Sequence, residues 1–129
     1  VTGCGMLLSR TMLDQIGLFD ERFFMYYEDF DLCLRARREG FRIVLEPAAR
    51  MWHKVSQSSE GSNSPGERYW MARSSAIFFR KHARGAQWLA ILPWRTGSAV
   101  RTTVRLLLAG RTDACAAYWR GLRDGLLAG

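Results

Sequence analysis

Between Gly17 and Arg38 the chain reads GLFDERFFMYYEDFDLCLRARR, and this stretch limits the fold more than any other. The segment from Leu18 to Tyr26 has neither a helical nor an alternating period, yet it is crowded with aromatic side chains. A loop this apolar has to be packed rather than left in water. Directly after Phe23, Phe24, Tyr26 and Tyr27 come two adjacent carboxylates, Glu28 and Asp29. They open a predicted helix from Phe30 to Glu39, closed by Gly40.

Two readings of that acid pair follow from its place. Acidic residues in a first helical turn cap free N–H groups and suit the helix dipole with no chemical task. The neighbouring rings suggest a second reading, in which they wall off one carboxylate from solvent so that it holds a proton more tightly and serves as a general base. Asp31 and Arg35, four residues apart, are expected to form an ordinary surface pair on the same helix.

Upstream, Val1 to Ser9 is a short apolar run broken by Gly3 and Gly5, which reads as a buried strand with a bulge or a close backbone approach. Ser9 is a plausible N-cap for a helix from Arg10 to Ile16, ended by Gly17. Downstream, Phe41 to Leu45 is β-branched at its centre and ends near Pro47, so it reads as a strand. Ala49 to Val55 alternates well enough to be another, with His53 near its end. Gln57 to Gly66 is rich in Ser, Gly, Asn and Pro, the composition of either a lid or a plain linker. From Glu67 to Arg84 the pattern is helical and Gly85 stops it. A Trp/Leu/Ile/Pro segment follows, then helices over about Ser98 to Ala109 and Asp113 to Leu127, parted by Gly110. The expected fold class is therefore α/β: strands and helices over residues 1–56, a loop or lid over 57–66, and a helical region over 67–129.

Charge divides the chain in the same way. Val1 to His53 holds seven Arg and eight acids, net −1, whereas Lys54 to Gly129 holds twelve Lys or Arg and four acids, net +8; together these give +7. Basic residues interleaved with Trp and Leu make the C-terminal helices amphipathic, suited to an anionic membrane surface or another chain, or else to ordinary core packing. Nucleic acid has the charge match but no reader motif. Cys4, Cys33 and Cys115 are scattered, so neither a zinc site nor a disulfide framework is expected, and a cytoplasmic setting is the simpler inference. No apolar run approaches the roughly 18 residues of a membrane span.

The succession Gly3-Cys4-Gly5-Met6, Ile16-Gly17-Leu18-Phe19-Asp20-Glu21, Phe23-Phe24-Met25-Tyr26, Glu28-Asp29-x-Asp31-Leu32-Cys33-x-Arg35, Gly40-Phe41-Arg42, Pro47 and His53 resembles the C-terminal half of bacterial family 2 glycosyltransferases, in particular rhamnosyltransferase-like members. The helix from Glu67 to Arg84 resembles the segment that follows in that family. The resemblance implies part of a GT-A fold, an α/β mixed sheet of which this chain would hold the C-terminal half, followed by an α-helical region. It implies Asp29 as the base that deprotonates an acceptor hydroxyl for inverting attack on the anomeric carbon, with Glu28 orienting the acceptor. His53 would approach the metal or the diphosphate, the metal being Mn²⁺ or Mg²⁺. A sugar pocket would draw on Gly3, Cys4, Gly5, Tyr26, Tyr27 and Trp52. The implied partners are a nucleotide-sugar donor and a glycan or lipid-linked acceptor. The implied place is the cytoplasm, peripherally at the inner face of the plasma membrane. The family's upstream DxD motif and nucleotide-binding strands have no counterpart here, so the chain is expected to be a piece of a longer protein, inactive alone and prone to self-association. The competing expectation is a non-enzymatic membrane-surface or protein-binding module that uses the basic tail.

Overall fold

The computed structural model describes residues 5–52 and 63–128. Five helices carry it: α1 (Arg10–Ile16), α2 (Glu28–Arg38), α3 (Pro65–His82), α4 (Gln87–Leu108) and α5 (Thr112–Leu127). The mixed α/β sheet expected from the sequence is not found, because no strand occurs among the described residues. The run Phe41 to Leu45 has the right side chains, but a strand is stabilised by cross-strand pairs and no described segment lies alongside to supply them. Val44 and Leu45 consequently face solvent. The described parts of Val1 to Ser9 and Ala49 to Val55, residues 5–9 and 49–52, are likewise unpaired. Residues 1–4 and 53–62, which include most of the predicted loop, lie outside the described residues.

α1 starts and stops as its caps dictate. Ser9 accepts a hydrogen bond from the Met12 amide, and Gly17 ends the helix at φ 77°, a left-handed conformation that costs glycine little. α3 begins two residues before the predicted Glu67. Ser64-Pro65-Gly66 reads as loop by composition, but Ser64 caps the Glu67 amide at 3.1 Å, Pro65 sits where its missing N–H costs nothing, and Glu67 reaches back to the Asn63 amide. α4 absorbs the Trp/Leu/Ile/Pro segment and continues past Pro93, whose missing N–H removes one donor from the helix.

α3 and α5 form the centre of the molecule, and they meet backbone to backbone. Ala114, Ala117, Gly121 and Gly125 put small residues at helical spacing along α5, opposite Ala72 and Ala76 of α3, all six buried. A Cβ added at Gly121 would lie 2.2 Å from the Tyr69 carbonyl oxygen, and one at Gly125 would lie 2.3 Å from that of Arg73. Such an approach is open only to glycine. Polar clasps fix the pairing: Tyr69 donates to Asp124 at 3.0 Å, and Arg80 donates to the carbonyls of Leu126 and Ala128 at the end of α5. The turn into α5 is tied to the start of α3 by Arg111, which donates to the Asn63 carbonyl at 2.9 Å.

Candidate functional site

The loop between α1 and α2 is packed only in part: its inner rings are held against the helices, but Leu18, Phe19 and Phe24 are exposed, against the expectation from composition. Phe23 is buried, the Phe24 ring lies 4.5 Å from that of Trp70, and Tyr27 lies 5.3 Å from Phe78 and 5.6 Å from Phe30. These rings seat the loop against α3 and α2. α3 also holds the loop by its backbone: Ser74 donates to the Met25 carbonyl at 2.7 Å and Arg73 to that of Arg22 at 2.8 Å. Burial raises the Tyr27 phenol above its ordinary value, with Arg95 opposing.

This anchoring sustains an unusual turn. Tyr26 and Tyr27 both adopt left-handed backbone, at φ 66° and 68°. For bulky residues that conformation costs about 1–3 kcal/mol each and persists only where the surroundings impose it. Its effect is to start α2 at Glu28, two residues before the predicted Phe30, so that Glu28 and Asp29 occupy the first turn. Asp29 is 8% exposed and accepts a hydrogen bond from the Phe30 amide at 2.7 Å. Glu28 Oε2 is enclosed and has no hydrogen-bond partner among the described residues.

Asp31 corrects the sequence reading. It does pair with Arg35, Nε to Oδ2 at 2.8 Å, but far from being a surface pair its side chain is completely buried. Its other oxygen, Oδ1, lies 2.6 Å from Lys81 Nζ and 2.7 Å from His82 Nε2, both on α3. Burial alone would push the Asp31 carboxyl up. The hydrogen bonds from Lys81, His82 and Arg35 outweigh it and hold the group below its ordinary range. Arg35 reaches on to the carbonyls of Ile16 and Leu18 at 2.6 and 2.7 Å, and Lys81 to Asp20 at 2.7 Å. Asp20, gripped also by Arg22 at 2.6 Å, is held well below the usual carboxylate range by that bond first. The network joins α1, the aromatic loop, α2 and α3. His82 was invisible in the sequence; the only signal would have been a basic pair, Lys81-His82, ending a helix whose partner helix carries a third acid.

Of the residues expected to form the site, the consecutive Tyr26, Tyr27, Glu28 and Asp29 make up the turn into α2 and its first residues. Gly5 and Trp52 are described but lie away from that turn's contacts; Gly5 faces Met51, and Trp52 is exposed. Gly3, Cys4 and His53 fall outside the described residues. No group of three His, Cys, Asp or Glu side chains suited to a metal occurs among the described residues. Asp31, the second acid of Asp29-x-Asp31, is already taken up by two cations and an imidazole. Beside the acid turn, Phe30, Cys33, Leu34, Arg37, Ile43 and Phe78 line an open, shallow pocket.

The family described as glycosyltransferase like family 2 matches residues 1–86. Among curated proteins, the chain is 32% identical over 94 residues to the N-acetylglucosaminyl-diphospho-decaprenol L-rhamnosyltransferase of Mycobacterium tuberculosis, covering 73% of this chain and 30% of that protein. It is 49% identical over 41 residues to the low-salt glycan biosynthesis hexosyltransferase Agl10 of Haloferax volcanii, covering 32% of this chain and 13% of that protein. It is 29% identical over 85 residues to the dTDP-rhamnosyl transferase RfbF of Shigella flexneri, covering 60% of this chain and 29% of that protein. The chain therefore spans about 30% of the length of the mycobacterial relative. No solved structure matches it significantly.

Proposed function

The chain belongs to the family 2-like glycosyltransferases, and from that premise we propose that it supplies the acceptor-side, catalytic part of an inverting sugar transfer. Asp29 takes the proton of an acceptor hydroxyl as the oxygen attacks the anomeric carbon of a nucleotide-diphosphate sugar. The bond from that carbon to the diphosphate oxygen breaks on the opposite face. Sugar hydroxyls are poor nucleophiles, so a positioned base contributes roughly 10²–10⁴-fold, and alignment of the reactants supplies much of the remainder. Relatives named for rhamnosyl transfer favour a deoxyhexose such as rhamnose as the donor sugar, and a relative named for a diphospho-decaprenol substrate favours a glycan or lipid-linked acceptor.

The observation that carries this reading is Glu28. A carboxylate oxygen shut away from water without a hydrogen-bond donor is costly, and such groups in folded proteins call for an explanation. Turned outward when acceptor binds, the Glu28 carboxylate would accept from one acceptor hydroxyl while the neighbouring hydroxyl is presented to Asp29. The strained Tyr26-Tyr27 turn supports the same assignment, since strain of this kind gathers at binding and catalytic sites. The Mn²⁺ or Mg²⁺ that the resemblance implies was expected with an upstream half, and no group of three suitable ligands occurs among the described residues. Work at the inner face of the plasma membrane, carried by the basic helices, belongs to the same proposal.

The test is Asp29→Asn in the intact protein. Transfer should fall by roughly 10²–10⁴-fold with nucleotide-sugar binding nearly unchanged, while Glu28→Gln should raise the KM for acceptor more than it lowers kcat. An Asp29→Asn protein that keeps its rate would reduce Asp29 to a helix cap.

A further inference from the structure

We propose that α4 is the membrane-contact element of this protein, lying flat on a bilayer surface with anionic headgroups. The inference deepens the membrane part of the reading above and rests on it for location.

α4 shows two unlike faces. Toward the protein, Leu106 is buried with Ala114 and Cys115, Thr103 accepts a hydrogen bond from Trp119 at 3.1 Å, and Arg95 stands over the Phe79 ring. The opposite face is formed by Leu89, Pro93, Val100, Val104, Leu107 and Leu108, all exposed, Leu89 at 79% and Leu108 at 85%. At 3.6 residues per turn these six side chains fall within about 100° of the helix circumference. None of the charged residues of α4 lies in that sector. Arg101 and Arg105 flank it along one edge, both exposed, with Trp94 also exposed near that edge. Water gains nothing from such a stripe, about 30 Å long for a helix of this length.

Charge identifies what covers the stripe. Between Glu67 and Asp113 the chain holds nine Arg or Lys and no acid. A second copy docked face to face would set its own Arg101 and Arg105 near those of the first, with no acid on α4 to pair with them. An anionic headgroup layer takes both parts at once: the stripe enters the acyl boundary and the arginines meet phosphates. No helix among the described residues is long and apolar enough to cross a membrane. The one-sided pattern suits an in-plane helix instead.

Flotation of the intact protein with phosphatidylcholine–phosphatidylglycerol vesicles, and with pure phosphatidylcholine vesicles, tests this. Wild type should float with the anionic vesicles and far less with neutral ones, and salt should weaken binding as the Debye length shrinks from about 10 Å to about 3 Å between 0.1 and 1 M. The double variant Val100→Glu/Leu107→Glu, altered only at exposed positions, should lose at least about tenfold of the bound fraction with its helical circular dichroism unchanged. Arg101→Glu/Arg105→Glu should abolish the preference for anionic lipid. Equal flotation of wild type and the Val100/Leu107 variant, or none by wild type, overturns the proposal. So does a concentration-dependent dimer lost in that variant without flotation of wild type, which would assign the stripe to a second copy. Asp29→Asn should float like wild type, so failure of the transfer reading and failure of this one give different results.

Discussion

His82 donates its Nε2–H to Oδ1 of Asp31 across 2.7 Å, and the direction of that bond is forced by a third group. Arg38 approaches the other ring nitrogen, Nδ1, at 2.8 Å, and a guanidinium can only donate. Nδ1 therefore carries no proton, and the imidazole is neutral although its partner is a carboxylate. Burial is the main cause that lowers the His82 pKa from its ordinary 6.5, and Asp31 opposes it without prevailing.

A pH dependence of stability follows. As pH falls below about 6.5, an unfolded chain takes up a proton on His82 that the folded chain resists, so the unfolded state gains and stability declines. Denaturant midpoints measured from about pH 8 down to about pH 5 should drop, and His82→Gln should flatten that part of the profile. A rise in wild-type stability over the same window would mean that a charged His82–Asp31 pair forms instead. The Asp31 share, with its pKa held below 3.8, is lost only in stronger acid.

Asp31→Asn and Asp29→Asn should separate cleanly. Removing the buried Asp31 charge leaves Arg35, about one-fifth exposed, with only the Ile16 and Leu18 carbonyls as partners, and Lys81 with Asp20 as its remaining counterion. The cost should sit near the low end for a broken buried pair, about 3 kcal/mol. Asp29→Asn should cost far less stability and act on transfer. Equilibrium denaturation of both variants checks the contrast.

Glycine-to-alanine changes should have opposite signs in two helices. Gly121→Ala and Gly125→Ala drive a methyl into the α3 backbone and should each destabilise by about 1–3 kcal/mol. Gly97→Ala, on α4 with nothing within 4 Å of the new methyl, should stabilise by up to about 1 kcal/mol. Melting temperatures of the three variants give the answer directly.

Tyr26→Gly should relieve left-handed strain and raise stability by about 1 kcal/mol or more, while transfer falls as the turn beneath Glu28 loosens. Thermal melting and an acceptor titration measure the two effects separately.

What the sequence disclosed, and what it hid, divides along the range of the interactions. α1 was legible residue for residue because Ser9 and Gly17 are local signals, and α5 to within one residue at its start. The packing of the aromatic loop was legible only in part, since Phe23 is buried but Leu18, Phe19 and Phe24 are exposed. The spacing of Asp31 and Arg35 correctly said that they meet, but not that they are covered, because the cover is Lys81 and His82, some fifty residues away. Phe41 to Leu45 has strand composition, yet pairing belongs to the neighbour and not to the run. Glu28 and Asp29 were legible as acids at the start of α2, though not the two-tyrosine turn that advances the helix to include them.

Arg73 lends its carbonyl to the close contact with Gly125 and its guanidinium to the Arg22 carbonyl in the aromatic loop. The same residue is thus a bearing surface for α5 and a tether for the turn that carries Glu28 and Asp29. Where helices meet through main chain there is no side chain to yield, and close-packed interiors pass displacement on rather than absorb it. One residue of α3 serves two neighbours at once, so the seat of α5 and the anchor of the loop that leads to the acid pair share a single stretch of main chain.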